Sequence, residues 1–210
     1  GNTDPTRGEH DGPIIHICRY YRPDKIYLIL TKEMEEKDEE VNNIYERAIK
    51  ENLKGYEPEI IKIKTGIEKA HHFDAYFDVI YQTFEEIKKE ECIEVYLNMT
   101  SGTSQMTTNL LMYYMDSIDL KLIPVQVATY TGQSNQTKEN NKTVDKAYDI
   151  EAEAICNLDN EEKTRTCRIE KPDLRKYSRI LTKNQIEKLL EQYKYEAISE
   201  LLKRDIFDKN

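Results

Sequence analysis

The chain has 210 residues, a formal net charge of -9 and charged side chains at 34% of its positions. That length suits one full-sized domain with an appendage, and high charge with few Gly or Pro excludes a disordered chain in favour of an element-rich globular one. No apolar run approaches the roughly 20 residues of a membrane span, and the acidic balance excludes a surface built to coat duplex nucleic acid while leaving room for a local anion site. Cys18, Cys92, Cys156 and Cys167 form no C-x-x-C pair and follow no signal peptide. A reducing, cytoplasmic compartment is therefore expected, one that disfavours the conceivable Cys156 to Cys167 disulfide.

Apolar residues three and four apart in "GPIIHICRYYRP" predict a short helix ended by Pro23, and "DKIYLIL" predicts a buried strand at about 25 to 30. The stretch "EMEEKDEEVNNIYERAIKENLKG" predicts one charged amphipathic helix stopped at Gly55. "EIIKIK" predicts a strand at 59–64, after which Phe73, Phe77, Ile80, Phe84 and Ile87 recur at helical spacing. "CIEVYLN", "QMTTNLLMYYMDSI" and "LKLIPVQVAT" then predict strand, helix and strand. Alternation with short connections is the signature of right-handed crossovers, so an α/β fold with a doubly wound, mainly parallel sheet is expected. "TYTGQSNQTKENNKT" predicts a long flexible loop, and "YDIEAEAICNL" with "KTRTCRIEK" predicts a C-terminal β-hairpin turned at "DNEE".

From Leu174 the pattern is helical throughout, with eight Lys/Arg against four Glu over residues 174 to 204. The boundary near Pro172 divides the chain into a sheet domain, 1–172, and a short helical extension, 173–210. Helices of this length cannot bury a core alone, so they are expected to dock on the sheet domain, on a partner chain or on a continuation. The sequence opens on "GNTDPTRGEHDGP", a loop-like motif leading into a helix. A doubly wound domain places its first, central strand just before such a loop, and that strand is expected ahead of Gly1.

In parallel α/β sheets, ligands bind beyond the carboxyl ends of the strands, where loops lead into helix N-termini. "NMTSGTSQ", residues 98 to 105, occupies that position. Gly102 permits a tight turn and close backbone approach, and unpaired amides at a helix start attract anions. Thr100, Ser101, Thr103 and Ser104 also read as ordinary helix caps. The segment lacks the Gly-Lys-Ser/Thr ending of a Walker A loop and the G-x-G-x-x-G fingerprint, so neither an ATPase nor a nicotinamide enzyme follows. His71, His72 and Asp74 belong to a loop on the same rim, with a lid role open to them. Adjacent histidines rarely supply metal-ligand geometry unaided, so no metal is expected. The Tyr and Met residues of "LLMYYM" follow helix spacing and read as sheet or dimer packing.

"GNTDPTRGEHDGPIIHICRYYRPDKIYLILTKEM" together with "LNMTSGTSQM" resembles the CRISPR-associated Rossmann fold (CARF) sensor domain of the ribonucleases that accompany type III-A CRISPR systems in low-GC Gram-positive bacteria. The likeness covers roughly residues 1 to 170, and residues after about 174 resemble the start of the helical part that follows in that family. The resemblance implies a Rossmann-like fold, a two-fold homodimer and a cyclic oligoadenylate ligand, with the six-membered ring (cA6) favoured over the four-membered one (cA4). It also implies no cofactor and no membrane. Family members fused to a HEPN domain cleave single-stranded RNA when the ring is bound. A two-fold dimer offers the same turn twice, which suits a ring of identical nucleotides. By position, Asn98, Ser101, Gly102, Thr103, Ser104 and Gln105 match the motif after the central strand, and Gly1, Asn2, Thr3, Asp4 and Arg7 match the motif after the first strand. The resemblance assigns amides near Gly102 to Ser104 to phosphate or ribose, Asn98 and Gln105 to hydrogen bonds, Arg7 to charge pairing and Asp4 to orienting neighbours or an adenine amine. Asn2 to Pro5 also reads as an ordinary Asx turn. His72 and Asp74 form a second tier.

The effector half of that family uses an Arg-x4-6-His motif, and no His occurs after residue 171. This chain is therefore not expected to cut RNA by that route. Two further readings stand beside the sensor. One is a metal-independent ring nuclease in which a ribose 2'-hydroxyl attacks the neighbouring phosphate, with Thr103, Ser104, Asn98 and Asn2 as the groups that align it and stabilise developing charge. The other is a ligand-sensing regulator whose basic C-terminal helices contact DNA, although those residues read equally well as a solvated face.

Overall fold

The computed structural model describes residues 5–7, 9–40, 42–90, 94–117, 119–128 and 149–207. A two-residue antiparallel hairpin, β1 (Thr6–Arg7) with β2 (His10–Asp11), leads into α1 (Pro13–Tyr21). Next come β3 (Lys25–Leu30), α2 (Lys32–Glu40), α3 (Ile44–Asn52) and β4 (Glu59–Lys64). After a 3-10 turn at Asp74–Tyr76, the chain continues through α4 (Phe77–Lys88), β5 (Val95–Asn98), α5 (Ser104–Asp116) and β6 (Leu122–Val127). α6 (Ile150–Cys156), a 3-10 turn at Leu158–Asn160, β7 (Ile169–Glu170), α7 (Arg175–Glu191) and α8 (Tyr195–Phe207) complete it.

Both crossover pairs are parallel: β3 on β4, from Lys25↔Glu59 to Leu30↔Lys64, and β5 on β6, from Val95↔Leu122 to Asn98↔Val125. β7 adds antiparallel to β6. Alternation along β3 builds two faces. Ile26, Leu28 and Leu30 pack with α1, α3 and Ile150 of α6, whereas Tyr27 and Ile29 pack with α4 and α5. β5 divides likewise, with Val95 and Leu97 on the α4/α5 side and Tyr96 stacked at 4.2 Å on Tyr21 of α1. Helices thus cover both faces of a Rossmann-like α/β sheet, as expected.

Three sequence expectations are corrected. The acidic stretch is two helices, because Asn42 (φ 55) and Asn43 (φ 64) take the left-handed conformation that Asn tolerates. The Asn43 amide closes back on the Asp38 carbonyl at 2.8 Å, and Lys62 Nζ donates to Asp38 Oδ2 at 2.5 Å and Asn43 Oδ1 at 2.7 Å. The expected C-terminal hairpin is absent among the described residues, since residues 150–156 are helical and only Ile169–Glu170 forms a strand. Alternating Glu and apolar residues in "IEAEAIC" imitate a strand, but Asp149 caps the Ala152 amide at 3.0 Å and Ile150 and Ala154, four apart, are buried. The helical spacing read from Phe73 is realised only in part: Phe73 (41% exposed) precedes the 3-10 turn, Phe77 (63%) begins α4, and Tyr76 between them is fully buried. The expected flexible loop, 129–143, lies outside the described residues. Cys156 and Cys167 carry free thiols.

The C-terminal turn plugs a buried polar cluster instead. Arg19 of α1 clamps Asp11, with Nε donating to Oδ2 at 2.7 Å and Nη2 to Oδ1 at 2.8 Å. Arg168 Nη2 donates to Asp159 Oδ2 at 3.0 Å and to the Asp11 carbonyl at 2.9 Å. The Asp11 amide also donates to Asp159 Oδ2, and Asn157 Nδ2 bridges Asp11 Oδ1 and Asn52 Oδ1. His16 Nε2 accepts from the Arg168 amide at 3.0 Å, which leaves the ring proton on Nδ1, 3.3 Å from Asp11 Oδ2. Asp11, His16 and Asp159 are metal-ligand residue types brought together, but two guanidinium groups already supply the positive charge there.

Burial opposes ionisation of Asp11, yet the bonds from Arg19, His16 and Asn157 and the charge of Arg19 outweigh it and hold its carboxyl well below the usual carboxylate range. A depressed folded pKa contributes stability that is complete above the unfolded value of about 3.9 and lost as pH falls through the folded one. Asp11→Ala should lower the unfolding free energy by about 3–5 kcal/mol by leaving Arg19 buried and unpaired, measured by urea denaturation at pH 7. The variant should also lose less stability than the parent between pH 4 and pH 2.

Candidate functional site

The turn after β5 is built by its own polar side chains. Asn98 Oδ1 accepts from the amides of Thr100 (3.0 Å) and Ser101 (3.2 Å), and its Nδ2 donates to Ser101 Oγ at 2.7 Å. This Asx-type closure turns the chain off the sheet. Thr100 Oγ1 accepts from the Val127 amide at 2.7 Å, tying the turn to the end of β6. Gly102 then adopts φ +92, where a Cβ would stand 2.8 Å from Met106 Sδ. Position and conformation both demand glycine.

Thr103 is the N-cap of α5, its Oγ1 accepting from the Met106 amide at 3.2 Å. Among the described residues the amides of Ser104 and Gln105 have no acceptor. They point from a helix start that carries the positive end of the dipole and no acidic side chain in its first turn. Ser104 is exposed and Gln105 half-buried, with Ser104 Oγ 3.4 Å from Gln105 Oε1. The result is an uncharged cradle of amides, one hydroxyl and one carboxamide, suited to an anion that also offers hydroxyl or base edges.

The loop after β4 lies against the same helix start. Asn109, buried on α5, donates through Nδ2 to the Phe73 carbonyl at 3.1 Å and the Gln105 carbonyl at 2.9 Å. Tyr76 OH donates to the Ala70 carbonyl at 3.0 Å. His72 and Asp74 are exposed on this loop, and the His71 and His72 rings meet edge-on at 4.6 Å. Two lysines at the strand ends near the rim are paired, Lys32 with Glu68 at 2.6 Å and Lys64 with Glu39 at 2.5 Å.

Of the sequence-derived site residues, the structure brings Asn98, Ser101, Gly102, Thr103, Ser104 and Gln105 into one turn and helix start. Gly1, Asn2, Thr3 and Asp4 lie outside the described residues, as does the side chain of Arg7, whose backbone belongs to β1. Sequence reading missed Thr100 as a cross-strand tie and Asn109 as the anchor of the neighbouring loop. A polar residue at the buried i+4 position from Gln105 was the available signal for Asn109.

The family described as "Cas_Csm6 CARF domain" matches residues 57–167. The chain belongs to the Csm6 CARF-domain family. It is 32% identical over 211 residues to the CRISPR system endoribonuclease Csm6 of Enterococcus italicus, a match that spans 96% of this chain and 46% of that protein. It is 31% identical over 206 residues to the CRISPR system endoribonuclease Csm6' of Streptococcus thermophilus, spanning 96% of this chain and 50% of that protein. The chain thus spans about half the length of these relatives. A solved structure, Enterococcus italicus Csm6 bound to cyclic hexa-2'-fluoro-hexa-dAMP, superposes with a TM-score of 0.75 at 29% identity, covering 98% of this chain and 48% of that one. No described helix is long and apolar enough to cross a membrane.

The turn makes separable predictions about stability. Gly102→Ala should destabilise the CARF domain by about 1–3 kcal/mol through backbone strain and the contact with Met106, and Thr103→Ala by about 1 kcal/mol through loss of the cap. Urea denaturation monitored by circular dichroism checks both.

Proposed function

We propose that this chain is the ligand-sensing part of a CRISPR-associated ribonuclease and binds a cyclic oligoadenylate, cA6 in preference to cA4, at a homodimer two-fold. Residues 1–172 form the sensor, and residues 173–210 begin the connection to a HEPN effector that cuts single-stranded RNA when the ring is held. The observation that carries this reading is the amide cradle of Ser104 and Gln105 behind a Thr103 cap, at the carboxyl end of a central parallel strand. It is supported by a structural relative bound to a six-membered cyclic adenylate analogue and by relatives that are endoribonucleases about twice this chain's length. Two copies of a neutral cradle about a two-fold present repeated amide donors to repeated phosphates. Ring binding in that arrangement rewards the one dimer geometry in which both cradles face it, and this differential affinity is what an allosteric signal requires.

Within the cradle, roles divide by what each side chain is already doing. Both polar atoms of Asn98 are committed to the turn, so it shapes the cradle. Gln105 and the Ser104 hydroxyl remain available for ribose and adenine edges. Arg7, Asn2 and Asp4 belong to the N-terminal motif that the family resemblance singles out, and His72 and Asp74 to the loop after β4.

Ring cleavage is the second reading. The relative's ligand carries fluorine at the 2' position, which removes the hydroxyl such a reaction uses as nucleophile. Thr103, Ser104 and Asn2 would align the sugar and phosphate, with no metal required.

Titration calorimetry with cA6 and cA4 tests the sensor: one ring per two chains and tighter binding of cA6 are expected. Gln105→Ala should weaken cA6 binding by about tenfold, about 1.4 kcal/mol, with unchanged unfolding. Absence of binding by either ring refutes the reading. Chromatography of cA6 incubated with the chain separates a holder from a ring nuclease, whose linear products should disappear in Thr103→Ala.

A further inference from the structure

Asn109 is a carboxamide where an apolar side chain would be expected. It lies on α5 between Met106 and Leu110, which pack into the core shared with α4 and β5, and is 4% exposed. Burying a carboxamide costs stability unless its groups are paired. Nδ2 has two hydrogens and uses both, on the Gln105 carbonyl of its own helix at 2.9 Å and on the Phe73 carbonyl of the loop after β4 at 3.1 Å. The Thr107 and Thr108 hydroxyls bond back to carbonyls one turn earlier on the same helix, so the first of these bonds needs only a hydroxyl. The second needs the reach of Asn.

The segment 69–76 is otherwise closed on itself, with the His72 amide on the Lys69 carbonyl at 2.9 Å and Tyr76 OH on the Ala70 carbonyl at 3.0 Å. The stretch before it is tied to α2, where Glu35 Oε1 accepts from the Gly66 amide and the Lys32 amide donates to the Ile67 carbonyl. Among the described residues Asn109 makes the hydrogen bond that joins segment 69–76 to α5. Without it the Phe73 carbonyl retains the Tyr76 amide at 3.4 Å. Tyr76 and Met106 share one core cluster, but apolar packing is non-directional and holds the loop down without fixing its register. Phe73 stands between His72 and Asp74, both exposed, so one buried nitrogen sets where those side chains lie relative to Gln105.

We propose that Asn109 is a positioning residue for ligand binding: itself out of a ligand's reach, it holds His72 and Asp74 in register with the amides of the α5 start. The inference rests on the sensor reading above. A ligand that spans loop and helix start binds more tightly when their separation is set beforehand, because less ordering is left to the binding step.

The test compares the parent chain with Asn109→Thr, which keeps a hydroxyl for the Gln105 carbonyl but does not reach Phe73, and with Asn109→Leu, which keeps neither bond. In the ligand-free chain, hydrogen exchange across 69–76 should quicken by about fivefold or more in both variants, with residues 108–116 unchanged. Calorimetry with cA6 should show binding weakened by about fivefold in both. The pair His72→Ala and Asp74→Ala should weaken cA6 binding by the parent and add little to Asn109→Thr, a dependence that a purely structural role would not produce. Should Asn109→Leu fail to fold, Asn109→Thr decides alone. Where the parent binds cA6, the inference is overturned, and the sensor reading stands, if Asn109→Thr matches the parent in loop exchange or in affinity. The same follows if the loop pair leaves the parent's affinity unchanged or adds in full to Asn109→Thr. Failure of the parent to bind cA6 overturns both readings.

Discussion

Arg19 and Arg168 reach two carboxylates that have almost no contact with water, and the placement of the loops around the sheet depends on that cluster. Asp11 ends the N-terminal hairpin, Arg19 and His16 project from α1, Asn157 and Asp159 come from the turn after α6, and Arg168 precedes β7. Segments about 150 residues apart in sequence are thereby held against one helix. A buried ion pair gains little net stability over an apolar core of the same shape, because desolvation offsets its Coulomb term. Its effect is selective, since Asp11 and Asp159 are matched to donors arriving from α1, from the turn after α6 and from the segment before β7 together.

That selectivity bears on the site. The hairpin pinned by Asp11 is the segment that follows the N-terminal motif, and β6, which the cluster reaches through Arg168 and the Ala128 carbonyl, receives the Thr100 tie from the α5 turn. The β1–β2 hairpin and the α5 turn are therefore both tied to the cluster that α1 anchors. A helix start whose amides bind an anion depends on fixed geometry rather than on positive side chains. With a net charge of -9 and Lys32 and Lys64 engaged by Glu68 and Glu39, the neutral amides of the α5 start are donors that an anion can use. They act without adding desolvated charge.

The same economy explains the hydroxyl-rich, uncharged turn. A lysine there would neutralise phosphate but would also draw the carboxylates of the surrounding acidic surface. Thr103 satisfies the Met106 amide and leaves the preceding amides free, Asn98 closes the turn, and Gly102 lets Met106 pack beneath it. Each residue settles a separate requirement of the backbone, and the amides of Ser104 and Gln105 are what remains.

By itself the sequence determined the elements whose pattern is local. The strands at 25–30 and 59–64, the helices following β4 and β5, and the turn at 98–105 were legible because burial on both faces, helical spacing and Gly/Ser/Thr at a strand end each leave a mark within about ten residues. Tertiary structure alone decided the rest. Asn42 and Asn43 break a helix because Lys62, on a strand beyond it, bridges the break; "IEAEAIC" fits both periods until packing against α3 selects the helix; and Tyr76 displaces Phe73 and Phe77 from the core because Ala70 accepts its hydroxyl. Burial of Asp11 and Asp159 is set by arginines from elsewhere in the chain. In each case the deciding partner lies too far along the chain for any periodicity to register it, since long-range pairing acts through space and leaves no local repeat.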